Sequence, residues 1–349
     1  MKSLYNYTLQ QLQEEMVNLG QKPYRATQIF SWLYQKRVKK IDDMSDISAS
    51  FREVLKENYT IALPTVIKEQ VSYDGTIKLL LELEDKSSVE TVLMRYEYGN
   101  AICVSSQVGC NMGCKFCASG LIKKQRDLEP SEMILQIMKM QEYLDKEGNN
   151  QRVSHIVIMG SGEPFDNYEK VMRFIRIAND QKGLAIGARH ITVSTSGIAP
   201  KIVQYSKEGL QVNLAISLHA SNDEIRNKLM PINKAYPLEK LFNAIREYCT
   251  NADRRVTIEY ILLKGINDSI ANADELTKLL NGVFAYVNLI PYNEVEENEF
   301  KRSDKTSVRA FYERLKNNGV NVTIRKEFGT DIDAACGQLR AKKEGVISE

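Results

Sequence analysis

The stretch Cys110-Asn111-Met112-Gly113-Cys114-Lys115-Phe116-Cys117 decides how the rest of the chain is read. Its three thiols stand in a CxxxCxxC spacing, with a glycine and an aromatic residue between them. Three thiolates so spaced can hold three irons of a cubane iron–sulfur cluster and leave the fourth iron open, where chemistry can take place. A zinc ion is the alternative. Structural zinc takes four protein ligands, usually as two CxxC pairs, and no second pair follows in this chain.

The 349 residues are too many for one small domain. They suit a large barrel with an appendage, or roughly two to three ordinary domains. Charged residues make up 26% and apolar ones 43%, which provides for a substantial core and argues against global disorder. A net charge of +2 neither demands nor excludes nucleic acid, so local patches must decide. Residues Met1 to Tyr7 lead into a polar helix without the apolar stretch of a signal peptide, and no later run approaches a membrane span. A soluble, cytoplasmic protein with no membrane partner is expected. Its six cysteines, Cys103, Cys110, Cys114, Cys117, Cys249 and Cys336, then sit in a reducing compartment, where a chemical role is favoured over a structural disulfide.

Upstream of the cysteine stretch the chain starts helical. Thr8 and Gln11 form a capping box, and Leu9, Leu12, Met16 and Leu19 recur at helical spacing until Gly20. A second helix follows Pro23, with Ala26, Ile29, Phe30 and Leu33 facing a core and Trp32 and Tyr34 near its end. The basic run Lys36, Arg37, Lys39, Lys40 comes next, and Phe51, Val54 and Leu55 suggest a third helix. From Pro64 the period changes. Residues 65–72, 76–83 and 89–95 read as strands, the first two joined by a turn at Asp74-Gly75, and residues 101–105 form the strand that delivers the cysteine loop.

Downstream, amphipathic stretches at 130–144, 168–179, 238–248, 271–280 and 305–317 separate strand-like runs at 153–159, 190–194, 212–218, 255–263, 285–290 and 320–325. Repeated strand–helix units predict an α/β fold: a parallel sheet closed or partly closed as a barrel, with its chemistry at the C-terminal ends of the strands. The unusual residues fall there. Met159 is followed by Gly160-Ser161-Gly162-Glu163-Pro164, Val193 by Ser194-Thr195-Ser196-Gly197, Ile216 by Ser217-Leu218-His219, and Ile290 by Pro291-Tyr292-Asn293. Singly each reads as a turn, a loop or a satisfied core histidine; together on one edge they read as a site.

With these motifs the chain resembles the radical S-adenosylmethionine enzymes, and within them the RlmN/Cfr family of RNA methyltransferases. The resemblance rests on Cys103 to Cys110 (CVSSQVGC), Met159 to Pro164 (MGSGEP), Ser217 to Ala220 (SLHA), Leu229 to Asn233 (LMPIN) and Asp331 to Leu339 (DIDAACGQL), and runs through nearly the whole chain. It implies a partial (β/α)6-type barrel over residues 101–326. A helical accessory domain (1–62) for RNA recognition and a β-meander (63–100) would precede it, and a C-terminal loop and tail (327–349) carrying Cys336 would follow.

On these residues the resemblance implies that Cys110, Cys114 and Cys117 ligate a 4Fe-4S cluster whose open iron is chelated by S-adenosylmethionine. Gly162, Glu163, Ser194, Ser217, Leu218, His219 and Asn293 would contact that cofactor, with the Glu163 carboxylate on its ammonium group. Two S-adenosylmethionine molecules would serve each turnover. One methylates the Cys336 thiolate by displacement. The other, cleaved at the cluster with an electron from an external donor such as flavodoxin, abstracts hydrogen from that methyl group, and the methylene radical adds to the adenine ring. Glu90 would then remove the proton from the substituted carbon, and Cys103 would take up the sulfur of Cys336 as a disulfide. Other readings of these two residues are an outward-facing strand carboxylate and a buried strand thiol. Cys249 has no motif around it.

For RNA binding, the basic groups Lys36 to Lys40, Lys123, Lys124 and Arg126, and Arg325, Lys326, Arg340, Lys342 and Lys343 offer a phosphate-binding footprint, although the run Lys36 to Lys40 taken alone reads first as a solvated face, and the target base would be flipped out of its stack. RlmN-type enzymes act on carbon 2 of an adenosine in 23S rRNA and of the adenosine beside the anticodon of some tRNAs. Cfr-type enzymes act on carbon 8 of the same rRNA adenosine and confer antibiotic resistance. Pro164, where Cfr-type chains tend to carry alanine, favours carbon 2; Ser161 departs from both patterns. A reading from another class is a non-catalytic, metal-containing RNA-binding protein. A monomer is expected.

Overall fold

The computed structural model describes residues 1–295, 297–334 and 337–339. Cys336, the expected methyl carrier, lies outside the described residues, as do Arg340, Lys342 and Lys343 of the expected RNA footprint.

The accessory segment runs from β1 (Lys2–Ser3) through α1 (Leu9–Asn18), α2 (Tyr24–Phe30) and α3 (Ala49–Asn58) to β2 (Tyr59–Thr60), which pairs in parallel with β1 and ties the segment's two ends together. The capping box forms as the spacing predicts. The Gln11 N–H donates to Thr8 Oγ1 at 3.2 Å, and the Thr8 N–H donates to Gln11 Oε1 at 3.1 Å, satisfying two of the donors a helix start leaves open. Beyond α2 the chain winds on to Gln35 in a wider turn, closed by the Lys36 N–H on the Ser31 carbonyl at 2.9 Å. Leu12, Met16, Ile29, Phe30 and Leu33 are buried, and their cluster continues without a break into the core of the barrel.

At Thr65 the chain turns to strands. β3 (Thr65–Val71), β4 (Ile77–Glu82), β5 (Ser88–Tyr96) and β6 (Gly99–Cys103) form an antiparallel meander. The β3–β4 turn closes with the Gly75 N–H on the Ser72 carbonyl at 3.0 Å. Gly75 sits at φ +80°, which is why glycine follows Asp74. β7 (Gln107–Val108) and β8 (Arg126–Asp127) pair antiparallel and form the neck of the cysteine loop.

From β6 onward the sheet is parallel and its strands lie side by side in chain order: β9 (Val153–Ile158), β10 (Ile191–Thr195), β11 (Asn213–Ser217), β12 (Val256–Leu262), β13 (Ala285–Pro291) and β14 (Val322–Ile324). Helices α4 (Pro130–Lys146), α5 (Tyr168–Asn179), α6 (Ala199–Tyr205), α7 (Asp223–Leu229), α8 (Leu238–Ala252), α9 (Ile270–Leu279) and α10 (Lys305–Asn317) fill the crossovers. Strand limits fall within two residues of the predicted ones. Helices α6 and α7 were not predicted; at seven residues each they are too short for a period to register.

β5 departs from simple alternation. Residues Ser88 to Met94 are all buried, including Glu90 at 7% exposure, so the outward-facing reading of Glu90 does not hold. The physical reason is a second cover. One face of β5 rests on the main core, and on the other Val92, Met94 and Cys103 pack against Phe328, Ala334 and Leu339 of the C-terminal segment.

Candidate active site

The cysteine loop is shaped by close backbone approaches. Gly109 sits at φ +76°, where an added Cβ would lie 2.4 Å from the Lys123 carbonyl oxygen, and a Cβ at Gly120 would lie 2.6 Å from that of Cys114. The Cys110 N–H bonds the Ile122 carbonyl at 2.9 Å, and the Lys115 N–H bonds Leu229 at the end of α7, also at 2.9 Å. So held, Cys110, Cys114 and Cys117 all line one cavity at the C-terminal edge of the sheet.

These thiols suit a cluster. Burial pushes the Cys110 thiol up to about 12 and the Cys114 thiol well above its ordinary value, with neighbouring thiols and Glu163 adding to the effect. Thiolates there need a cation to replace their protons. Among the described residues no three Cys, His, Asp or Glu side chains converge as ligands of a single ion. A cubane, whose irons take ligands at separate corners, suits three thiolates that line one cavity.

The strand ends complete the cavity. Gly160, Gly162, Glu163, Ser194, Ser217 and His219 all line it. The loop after β9 crosses the loop after β6 so closely that a Cβ at Gly160 would stand 2.6 Å from Ser105 Oγ, and one at Gly162 2.6 Å from Gln107 Cβ. The Ser161 carbonyl takes the N–H groups of Ser106 and Gln107 at 2.8 and 3.1 Å. The backbone, not the side chain, of this atypical residue therefore makes the crossing. Ser194 Oγ and Ser217 Oγ lie 3.4 Å apart.

Two of the expected cofactor contacts are engaged within the fold. Each Glu163 oxygen accepts a backbone N–H, Oε1 from Phe165 at 2.9 Å and Oε2 from Ser196 at 2.7 Å. Burial still raises its pKa. This carboxylate braces the loops after β9 and β10 while bordering the cavity. His219 sits at φ +58°, edge-on to Phe116 with ring centroids 4.8 Å apart. Its Nδ1 accepts the Ile261 N–H at 3.1 Å, and burial drives its pKa down to about 3. The ring is therefore neutral, with its proton on Nε2. Leu218 is fully buried in the core, its N–H on the Glu259 carbonyl and its carbonyl taken by Arg226, so its side chain is not offered to the cavity. Asn293 lines an adjoining pocket that shares Ile290 and Arg325 with the main cavity.

Sequence reasoning missed two groups. Arg226 of α7 is fully buried. Its guanidinium bonds the Ser196 carbonyl at 2.7 Å, the Leu218 carbonyl at 3.2 Å and Asn233 Oδ1 at 2.9 Å, knitting together the loops after β10 and β11 and the LMPIN segment. Burial lowers its pKa to about 10, still charged at neutral pH. Glu259 of β12 lines the cavity at 5% exposure. It accepts from Asn288 Nδ2 at 2.9 Å and lies 3.9 Å from Arg325 Nη1. A charged residue in an apolar strand run, VTIEYIL, was the available signal for Glu259; Arg226 gave none.

The remaining expected residues lie where the C-terminal segment crosses the sheet. Upstream of Cys336 the β3–β4 hairpin grips this segment. Ser72 Oγ and the Tyr73 N–H bond the Asp331 carboxylate, the Gly329 N–H donates to Asp74 Oδ2 at 2.9 Å, and Lys78 Nζ donates to the Asp333 carbonyl at 3.2 Å. Downstream, the cysteine loop grips it. The Ala118 N–H bonds the Gly337 carbonyl at 2.7 Å and Ser119 Oγ bonds that of Leu339 at 2.6 Å. Glu90 and Cys103 lie beneath, on β5 and β6. Lys78 Nζ is 3.4 Å from Glu90 Oε1, and Cys103 pairs across from Val92. Cys249 is remote from this region, its Sγ 3.7 Å from the Phe284 carbonyl.

Much of the expected basic footprint is used internally. Arg37 and Lys39 bond Asp145 and Glu142 of α4, each at 2.8 Å, and so dock the accessory segment on the barrel. Lys124 is paired with Asp127 and Asp166, and Arg126 with Asp85 and Glu132. Lys36 lies over the Trp32 ring. Lys40, Lys123 and Lys326 remain on the exposed surface.

Residues 104–276 match the model of the radical SAM superfamily, and residues 2–61 that of the ribosomal RNA large subunit methyltransferase N-terminal domain. The chain is 55% identical over 345 residues to the probable dual-specificity RNA methyltransferase RlmN of Enterococcus faecalis, covering 98% of this chain and 97% of that one. It is equally identical over 343 residues to that of Streptococcus pyogenes serotype M2, covering 97% and 96%. Among solved structures, a radical SAM methyltransferase from Sphaerobacter thermophilus superimposes with a TM-score of 0.94 at 42% identity, over 98% of this chain and 100% of that one.

Proposed function

This chain belongs to the RlmN family of radical S-adenosylmethionine RNA methyltransferases, and from that premise we propose that it methylates carbon 2 of adenosine in 23S rRNA and in some tRNAs, with Cys336 as the carrier of the methyl carbon. The observation that carries the reading is the double anchorage of the C-terminal segment. Its upstream end is bonded beside Lys78 and Glu90, and its downstream end is bonded to the cysteine loop at Ala118 and Ser119. The two anchors tie the segment to the strand face that holds Glu90 and to the loop that holds Cys110, Cys114 and Cys117.

A 4Fe-4S cluster on Cys110, Cys114 and Cys117 would supply, with bound S-adenosylmethionine, one-electron cleavage of the sulfonium and hence abstraction of a hydrogen atom. The chain's own residues do the rest. Gly162, Glu163, Ser194, Ser217, neutral His219 and Asn293 would orient the cofactor by hydrogen bonds. Cys336, as thiolate, takes a methyl group from one S-adenosylmethionine, and a second serves the radical step. With the carbon bonded to the adenine ring, the adduct gives up one electron, which the cluster, oxidised in the cleavage step, would accept, and Glu90 accepts the proton from the substituted carbon. The Cys103 thiolate then forms a bond to the Cys336 sulfur, the sulfur–carbon bond breaks, and the released carbon takes a proton to become the RNA methyl group.

The accessory segment, residues 1–62, would recognise RNA together with exposed cations such as Lys40, Lys123 and Lys326; an external electron donor completes the cytoplasmic reaction. Mass spectrometry of adenosine from modified RNA tests the assignment. 2-Methyladenosine is expected, and 8-methyladenosine would place the chain with the Cfr-type enzymes instead. Cys336→Ala should abolish methyl transfer while leaving slow formation of deoxyadenosine at an intact cluster, whereas Cys114→Ala should lose both.

A further inference from the structure

Lys78 is the one lysine fully withdrawn from solvent among the described residues, at 6% exposure. It stands in β4 between Ile77 and Leu79-Leu80-Leu81, where every other buried position is apolar. An ammonium group held in such a strand needs partners that replace its hydration. Among the described residues its partners are two: Glu90 Oε1 at 3.4 Å and the Asp333 carbonyl at 3.2 Å. The first is the expected base, and the second belongs to the segment that leads to Cys336.

The register explains how one lysine reaches both. Lys78 pairs across from Val92 of β5, and Val92 across from Cys103 of β6. Side chains two residues apart share a face, so Lys78, Glu90, Val92 and Cys103 all lie beneath the C-terminal segment. On that face Lys78 from β4 reaches Glu90, the Asp333 carbonyl bonds the same lysine, and Cys103 of β6 pairs across from Val92, two residues along from Glu90. The Asp331 carboxylate is turned away to Ser72 and Tyr73, and Arg325 is engaged with Glu259 at the main cavity.

We propose that Lys78 is a positioning residue for the methyl transfer, which holds the Glu90 carboxylate ionised and aligned and joins it to the segment that carries Cys336. The inference rests on the radical, Cys336-mediated reading above. An opposite charge at this range favours the ionised carboxylate against the burial that opposes it. The bond to Asp333 makes that support depend on the segment being seated. With the segment lifted, the lysine loses one of its two partners, so base and methyl carrier are readied together.

The test is a single-turnover experiment with the reconstituted holoprotein and RNA, following appearance and decay of the covalent protein–RNA adduct across pH. Lys78→Gln removes the charge but keeps a donor for the Asp333 carbonyl, and Lys78→Arg keeps the charge. Adduct decay in Lys78→Gln should slow about tenfold at neutral pH, with its acid limb moved up by about one pH unit or more. Lys78→Arg should return the limb to within a few tenths of a unit of the parent. A purely structural lysine would leave the acid limb where the parent has it, whatever the rate, and that result would overturn the proposal. Should Lys78→Gln fail to fold, the Lys78→Arg profile decides alone: a limb displaced as far as one pH unit in a folded, charged variant also overturns it. Absence of any adduct in the unsubstituted protein would instead reject the Cys336 reading and this inference with it.

Discussion

Gly162 shows how the site is fixed one residue at a time. It sits at φ +106°, and a Cβ there would stand 2.6 Å from Gln107 Cβ and 2.8 Å from its backbone nitrogen. Gln107 cannot retreat, because its side chain bonds the Glu163 N–H, Asp127 and Asp166 while its own N–H bonds Ser161. Gly162→Ala should therefore cost about 2–3 kcal/mol of stability from strain and crowding and weaken S-adenosylmethionine binding. Denaturant unfolding and cofactor titration check both, and an unchanged midpoint would contradict the crossing described. The glycine was legible as part of a motif. Arg226 was not, because a single arginine in a seven-residue helix reads as a solvated charge, and only its burial against Ser196, Leu218 and Asn233 shows what it holds. Glu163 was legible as a site residue, but the two backbone N–H groups that occupy its oxygens come from loops that only the fold brings near.

At the scale of elements, the C-terminal segment is bound to two others that do not touch it in sequence, the β3–β4 hairpin and the cysteine loop. The Ala118 N–H that bonds Gly337 lies one residue beyond Cys117, so the order of the loop and of the segment are linked. Removing iron from reconstituted protein should accordingly raise amide hydrogen exchange at Ala118, the donor to Gly337, more than in α4 or α5, by an order of magnitude or so once that bond is lost. Equal exchange with and without iron would mean that the hydrogen bonds persist in a collapsed loop. The motif from Asp331 to Leu339 was recognisable in the sequence, but its docking partners Ser72, Asp74 and Lys78 were not. They stand in a hairpin whose alternation looked ordinary. In the same way the basic run ending at Lys40 read as a solvated face or a nucleic-acid surface, whereas Arg37 and Lys39 pair with Asp145 and Glu142 of α4. Charge density along a chain does not tell which charges meet partners once it folds.

For the whole molecule, the accessory segment and the barrel share one core: Leu4, Tyr5, Met16, Phe30 and Leu33 belong to the same buried cluster as Ile134, Phe174 and Ile177. Deleting residues before Pro64, which the sequence alone would offer as a clean test of RNA recognition, should instead expose an apolar face on the barrel and cause aggregation or loss of cooperative unfolding. Size-exclusion chromatography and a thermal melt of the truncated chain check this; a soluble, cooperatively folded remainder would show the segment to be a separate unit. Lys40 and Lys123 substitutions are the gentler probe of RNA contact. By itself the sequence determined the helical start, the meander, the parallel strand–helix order and the cysteine loop, because periodicity, turn residues and ligand spacing are local properties. The tertiary structure alone decided which charges are buried, that Glu90 faces a covered surface, and that Lys78, Glu90 and the segment before Cys336 meet. The contact of Lys78 with Asp333 joins residues more than two hundred positions apart, and no local pattern encodes the pairing of elements so distant in the chain.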